Sequence, residues 1–203
     1  MIKKLSALIL LILCSVMFSG YRKPDVTEIN AVRNSNIHNN LGTMYMNEKV
    51  YYAAIQEFKI AISLNPESQA SAVYYDNLGY CYMQIGYPDL AQDCFERALK
   101  LYSLNMRYYV NLAKCYIALG IKDKKLAEYK DFKNPYNRLM SGVLYAESGD
   151  YKRGITILDE FTISEPDLII TPAVKAYIKS SVKKMNDELP ETLQDTLKSN
   201  KKK

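Results

Sequence analysis

The stretch that decides the fold is LGYCYMQIGYPDLAQDCFERA, residues 78–98, because residues 41–61, LGTMYMNEKVYYAAIQEFKIA, repeat its pattern. Each stretch begins with Leu-Gly and has Tyr four positions after the leucine. Ala, Phe and Ala follow 13, 17 and 20 positions after the same leucine. Two helices approach closely only where side chains are small, and aromatic side chains then fill the remaining space. The pattern therefore predicts two helical hairpins built on one plan.

Two further copies of the pattern follow along the chain. A third begins at Leu112-Ala113 and a fourth near Gly142. In the third copy, Lys125 and Tyr129 stand where a small and an aromatic residue are expected, which indicates a degraded second helix. A single hairpin cannot bury its own apolar face, so the four copies are predicted to stack on one another.

The spacing resembles the tetratricopeptide repeat, a helix-turn-helix unit of about 34 residues. The resemblance implies an all-α fold, a right-handed superhelix (α-solenoid) of about four hairpins with a C-terminal capping helix. The repeats are predicted at residues 35–68, 72–105, 106–134 and 135–168. The chain is also similar to small tetratricopeptide proteins and lipoproteins of the bacterial cell envelope.

Segments on either side of the repeats are predicted to complete the stack. Residues 21–34 extend the first helix, with Val32 facing inward. Residues 171–186 form the capping helix, with Thr171 as the residue that caps its start. Residues 187–203 form a polar, Lys-rich tail. An apolar stripe at helical spacing is predicted to bind the cap to the stack: Val174, Ile178, Val182 and Met185.

The first twenty residues predict export or membrane attachment. Lys3 and Lys4 precede an apolar run over residues 5–18, which is typical of a signal peptide and short for a membrane span. Cys14 is either a lipidation site or a small apolar residue of the signal core. We therefore expect an exported protein, periplasmic or membrane-anchored. An uncleaved anchor facing the cytoplasm is the alternative.

Composition argues against catalysis and against nucleic-acid binding. The chain has 203 residues, and His38 is its only histidine, so no His-rich metal centre or Ser-His-Asp site is expected. His38 lies at a packing position and is interpreted as structural. No phosphate-binding glycine loop is present. The net charge of +5 is mild and partly due to the last lysines. We expect no catalytic residue, metal, cofactor or nucleic acid.

The family resemblance implies that the first helices of the repeats line a groove that holds a partner. The function expected is a non-enzymatic protein–protein interaction scaffold that binds a protein or peptide there. Tyr80, Arg107 and Tyr136 combine large contact area with a polar tip, which is typical of binding anchors. Projection of the groove positions predicts these partner-binding residues: Asn39, Thr43, Asp76, Asn77, Tyr80, Met83, Arg107, Val110, Lys114, Tyr136 and Leu139.

Several alternatives stay open at this stage. The apolar residues of the C-terminal half, such as Val110 and Leu139, either form an exposed interaction patch or are covered by the chain's own C-terminal segment. Self-association into a structural homo-oligomer is a second hypothesis. Asn40, Asn77 and Asn111 occupy the same position in three repeats and form a row of amides. This row either binds an extended peptide or stabilises the repeats themselves. Cys81 and Cys115, one repeat apart, are expected to be buried free thiols.

Overall fold

The computed structural model describes residues 30–188, and this part of the chain contains nine α-helices and no strand. The helices are α1 (Ala31–Asn47), α2 (Tyr51–Leu64), α3 (Ser71–Gln84), α4 (Pro88–Leu101), α5 (Met106–Ala118), α6 (Lys122–Glu128), α7 (Pro135–Glu147), α8 (Tyr151–Ser164) and α9 (Thr171–Asp187).

The described helices form a row of hairpins, each packed on the next. Helices α1 and α2, α3 and α4, and α7 and α8 pair across short turns. Successive hairpins meet through α2 and α3 and through α4 and α5, while α9 packs against α8. The predicted all-α repeat superhelix is confirmed.

Each of these three hairpins closes where a large side chain rests on a glycine. A Cβ atom built on Gly79 would lie 2.7 Å from Cε1 of Phe95, which is 1% exposed. Gly42 makes the same contact with Phe58. At Gly142, a Cβ would lie 2.7 Å from Cγ of Leu158. The small residue of the repeat pattern is therefore required by the ring or leucine that packs on the helix backbone.

The third repeat lacks a second helix of normal length. Helix α6 has seven residues and none of them is buried. The fully buried Tyr116 donates a hydrogen bond to Oε1 of Glu96 (2.9 Å), and its hydroxyl lies 3.1 Å from that of Tyr129. Nζ of Lys125 lies 4.9 Å from the centre of the Tyr116 ring. Polar and cation–π contacts thus hold this segment together with Leu126 and Tyr129, which are only partly buried against the main core.

The capping helix and the start of α1 differ in detail from the sequence predictions. Thr171 does not cap α9; it is the first helical residue, and its hydroxyl donates to the backbone oxygen of Glu165 (2.5 Å). Val32 is 57% exposed, so its predicted inward orientation is wrong, and Ser35 is the buried residue of that turn. Of the predicted apolar stripe, Val174 is fully buried and the other three residues are half-buried.

Residues 1–29 and 189–203 lie outside the described part of the chain. The signal-peptide prediction, the proposed lipidation of Cys14 and most of the predicted Lys-rich tail fall there. Within residues 30–188, no helix combines the length and apolar character needed to cross a membrane.

Candidate functional site

A cavity of about 390 Å³ lies against the first helices of the first three repeats. Helices α1, α3 and α5 supply most of its wall, and the turn from α1 to α2 and the first residue of α2 supply the rest. Its lining residues are Met46, Asn47, Lys49, Tyr51, Asp76, Asn77, Tyr80, Arg107 and Asn111. We call it the α1–α3–α5 cavity.

A buried carboxylate, Asp76, forms part of this wall. Asp76 is 1% exposed, its Oδ2 lies 2.8 Å from Nη2 of Arg107, and its Oδ1 accepts a hydrogen bond from Nδ2 of Asn111 (2.8 Å). Burial raises the pKa of Asp76 above its usual range, and the charge of Arg107 and the Asn111 hydrogen bond oppose that rise without cancelling it. Arg107 therefore serves as the counter-ion of a carboxylate that water does not reach.

Amide side chains continue this network across three repeats. Asn77 donates to Oδ1 of Asn39 (3.2 Å), and Arg107 donates through Nη2 to Oδ1 of Asn77 (3.2 Å). Asn77 and Asn111 thus bind neighbouring repeats, whereas Asn40 is exposed. These contacts favour the interpretation that the row of asparagines stabilises the stack.

Arg107 keeps hydrogen-bond donors that the network does not use. A guanidinium carries five N–H donors, and the two on Nη2 are directed at Asp76 and Asn77. The Arg107 side chain is 51% exposed. Within residues 30–188 its Nη1 and Nε groups have no hydrogen-bond partner, so they are available to a molecule in the cavity, which the 40% exposed Tyr80 also lines.

Lys49 is a cavity residue that the sequence prediction missed. Its φ is 62°, the left-handed region, and it is the one non-glycine residue with positive φ in the described chain. Gly86, Gly120 and Gly149 have positive φ at the equivalent turns, each seven positions after the small residue of its repeat. Lys49 follows Gly42 by the same seven positions, so the repeat spacing could have identified it. A left-handed lysine costs about 1–2 kcal/mol relative to glycine.

Six of the eleven predicted residues belong to this cavity or adjoin it. Asp76, Asn77, Tyr80 and Arg107 line it. Asn39 is bound to Asn77 through its side chain, and the Thr43 hydroxyl donates to the backbone oxygen of Asn39 (2.8 Å). The structure thus brings together six predicted residues from the first three repeats.

The other five predicted residues lie elsewhere. Met83 and Val110 are partly buried against the main core, and Nζ of Lys114 lies 3.9 Å from the Glu147 carboxylate. Leu139 is fully buried in that core with Val143 and Val174, so its predicted place on an accessible groove is wrong. Of the two alternatives for the apolar residues of the C-terminal half, Leu139 therefore fits coverage by the chain itself and not an exposed interaction patch.

Tyr136, predicted as a groove anchor together with Tyr80 and Arg107, lines a different cavity from those two residues. This second cavity has a volume of about 240 Å³ and lies where the second helix of the third repeat is short. Its walls are formed by Leu99, Lys100, Ser103, Tyr109, Tyr129, Tyr136, Asn137 and Met140.

In the part of the chain that the structure describes, the histidine is engaged in a contact and the cysteines are buried. Nδ1 of His38 lies 2.6 Å from Oε2 of Glu57 and joins α1 to α2. Cys81, Cys94 and Cys115 are buried free thiols, as expected for Cys81 and Cys115, and burial raises the pKa of each to about 12. In residues 30–188, no group of His, Cys, Asp or Glu side chains could hold a metal ion.

Stacked helical hairpins with a polar and aromatic cavity on their first helices define the class of protein: a helical-repeat scaffold for protein–protein interaction. Models of the tetratricopeptide repeat match residues 35–68 and 72–105, the first two hairpins. These two hairpins of the chain are tetratricopeptide repeats.

Solved structures of tetratricopeptide proteins resemble the chain in fold. MamA is 22% identical, with 66% of this chain and 79% of MamA covered and a TM-score of 0.46. A repeat protein from Parabacteroides merdae is 17% identical, with coverage of 77% and 62% and a TM-score of 0.47. PilF of Pseudomonas aeruginosa is 19% identical, with coverage of 71% and 67% and a TM-score of 0.46. Comparison with curated proteins yields no significant match.

Proposed function

We propose that the chain binds a protein partner through a peptide segment seated in the α1–α3–α5 cavity. The observation that carries the proposal is the meeting of Lys49, Arg107, Tyr51 and Tyr80 around one open space. Lys49 and Tyr51 come from the first repeat, Tyr80 from the second and Arg107 from the third, so only the assembled stack presents them together.

The polar network beneath the cavity gives it the rigidity that binding requires. Arg107 is held by Asp76 and Asn77, so its free donors are oriented before a ligand arrives. Preorganised donors lose little conformational entropy on binding, and tyrosine and arginine are the side chains that most often dominate binding energy. Lys49 remains in a strained turn conformation, which is a feature of functional sites.

The cavity residues can be tested without disturbing the fold. We expect the double variant Lys49→Gly/Tyr80→Ala to weaken peptide binding at least tenfold, because it removes one cation and one aromatic anchor. Glycine accepts the positive φ at position 49, so the change does not strain the turn. Peptides selected from a random display library on the full-length chain, with fluorescence anisotropy as the assay, provide the measurement.

The matched control is Tyr52→Ala, because Tyr52 is 70% exposed and lies outside the cavity. Its affinity for the peptide is expected to stay within about twofold of the natural chain's affinity, since exposed residues away from an interface contribute little. Equal affinity of the double variant and the natural chain, with unchanged helicity by circular dichroism, would contradict binding in this cavity.

We further propose that the chain is exported and retained in a bacterial cell envelope. The support is the basic start followed by the apolar run over residues 5–18. Mass spectrometry of the N-terminus from the natural host separates the possible forms. We expect either a lipid-modified Cys14 or a new start near Gly20. An intact Met1 in the membrane fraction would instead indicate an uncleaved anchor, and an intact Met1 in the soluble fraction would contradict export.

A further inference from the structure

The outer face of α9 carries a row of lysines. Lys175, Lys179 and Lys183 are exposed and follow one another at four-residue intervals, and the exposed Lys184 adjoins them. Residues four apart lie on one face of a helix, so the three ammonium groups extend over about 12 Å. The helix contains no acidic residue before Asp187. We call Lys175, Lys179 and Lys183 the lysine row.

The charges of the lysine row are not neutralised within the described structure. None of the three lysines lies within ion-pair distance of a carboxylate in residues 30–188, whereas Lys114 and Lys125 each have such a partner. A terminal helix needs a polar outer face for solubility, but mixed charges would meet that need. Like charges at four-residue spacing slightly weaken a helix. Solubility alone therefore does not explain a row in which all three charges are positive.

The chemistry of the row indicates the kind of surface that it fits. Lysine is a point charge without the planar fork by which arginine grips a single phosphate. Ala176 and Ser180 lie between the lysines and leave the face without large side chains. The one aromatic residue of α9, Tyr177, is half-buried, and its hydroxyl donates to Glu147 (2.6 Å), so no ring is free to stack on a base. A broad anionic plane matches these features better than a nucleic acid.

We propose that α9 docks on an anionic membrane surface, with the lysine row facing the lipid headgroups. Clusters of several lysines are attracted to anionic leaflets in this way. The sequence beyond the described helix adds Lys198 and Lys201 to Lys203 to the same end of the chain. The contact is separate from the α1–α3–α5 cavity, so it does not depend on the proposed peptide binding.

Vesicle binding by the full-length chain tests the proposal. We expect the chain to sediment with vesicles of phosphatidylglycerol and phosphatidylcholine, and the excess over pure phosphatidylcholine to disappear in high salt. Replacement of the three lysines of the row by glutamate should lower the partition onto the anionic vesicles at least about 150-fold, because each lysine near an anionic surface contributes about a fivefold gain in binding. Binding to vesicles of pure phosphatidylcholine serves as the control, because it measures any binding through the apolar run at residues 5–18.

A matched variant separates the position of the charges from their number. It reverses three exposed lysines outside α9, with the same change in net charge: Lys124, Lys130 and Lys133. We expect this variant to lower the partition onto the anionic vesicles by no more than about threefold. Equal losses in the two triple variants, or equal binding of the natural chain to anionic and neutral vesicles, would overturn the proposal. Tighter binding of short random DNA through the same lysine row would also overturn it.

Discussion

Replacement of Phe95 by alanine is expected to lower the free energy of unfolding by about 3–5 kcal/mol, the range for a large buried aromatic side chain. Phe95 is 1% exposed and packs on Gly79 in the second hairpin, within the core that continues into the third and fourth repeats. Its loss would leave a cavity between α3 and α4 at the point where their backbones approach most closely. Urea denaturation followed by circular dichroism measures the change.

A second substitution shows whether the contact with Gly79 is the cause. In the natural chain, Gly79→Ala places a Cβ 2.7 Å from the Phe95 ring and is expected to cost about 1–3 kcal/mol. In the Phe95→Ala background the obstructing ring is absent, and alanine is a better helix former than glycine by about 1 kcal/mol. Gly79→Ala should therefore become neutral or stabilising there. Equal costs in both backgrounds would show that the ring does not impose the glycine.

Removal of the charge of Arg107 is expected to destabilise the chain by about 2–3 kcal/mol at neutral pH. Arg107→Met keeps the apolar stem but leaves the carboxylate of Asp76, which is 1% exposed, without its cation. A buried charge without a partner costs more than the intact pair contributes. The double variant Asp76→Asn/Arg107→Met removes that charge and should recover most of the stability.

The loss of stability caused by Arg107→Met should become smaller as the pH falls. The pKa of Asp76 in the folded chain is already raised by burial, and loss of Arg107 raises it further. A carboxyl whose pKa is higher in the folded chain than in the unfolded chain favours the folded state most at pH values below the unfolded pKa. This contribution to stability is lost as the pH rises through the folded pKa. Denaturation at pH 7.5 and near pH 4 measures the difference. A deficit that stays constant over this interval would show that Asp76 is not the cause.

The repeat fold was predictable because its main contacts repeat at constant spacing. Gly42 and Gly79, with Phe58 and Phe95, specify how the first two hairpins close, and these residues can be recognised in the sequence. The polar residues Asp76 and Arg107 were predicted from their positions on first helices, and both line the cavity. The burial of Asp76 was not predictable, because it depends on the packing of three helices at once.

The fourth repeat shows why the prediction failed for the C-terminal half. Gly142 follows Ala113 by 29 positions, whereas the family repeat has about 34. The missing residues shorten α6 to seven, so α7 packs directly on α5. Groove positions projected from regular repeats then fall on other surfaces, which places Tyr136 in the second cavity and Leu139 in the core.

The short α6 also has a consequence for how the stack holds together. In a linear array, cooperativity passes from one unit to the next through shared apolar interfaces. Helix α6 contributes no buried residue, so coupling between the N-terminal hairpins and the C-terminal pair with its cap depends on the contact of α5 with α7. Segments with few buried contacts open at the lowest free energy. Helix α6 can therefore fray first, while the buried core that runs from α4 through α5 into α7 and α8 keeps the two flanks of the stack joined.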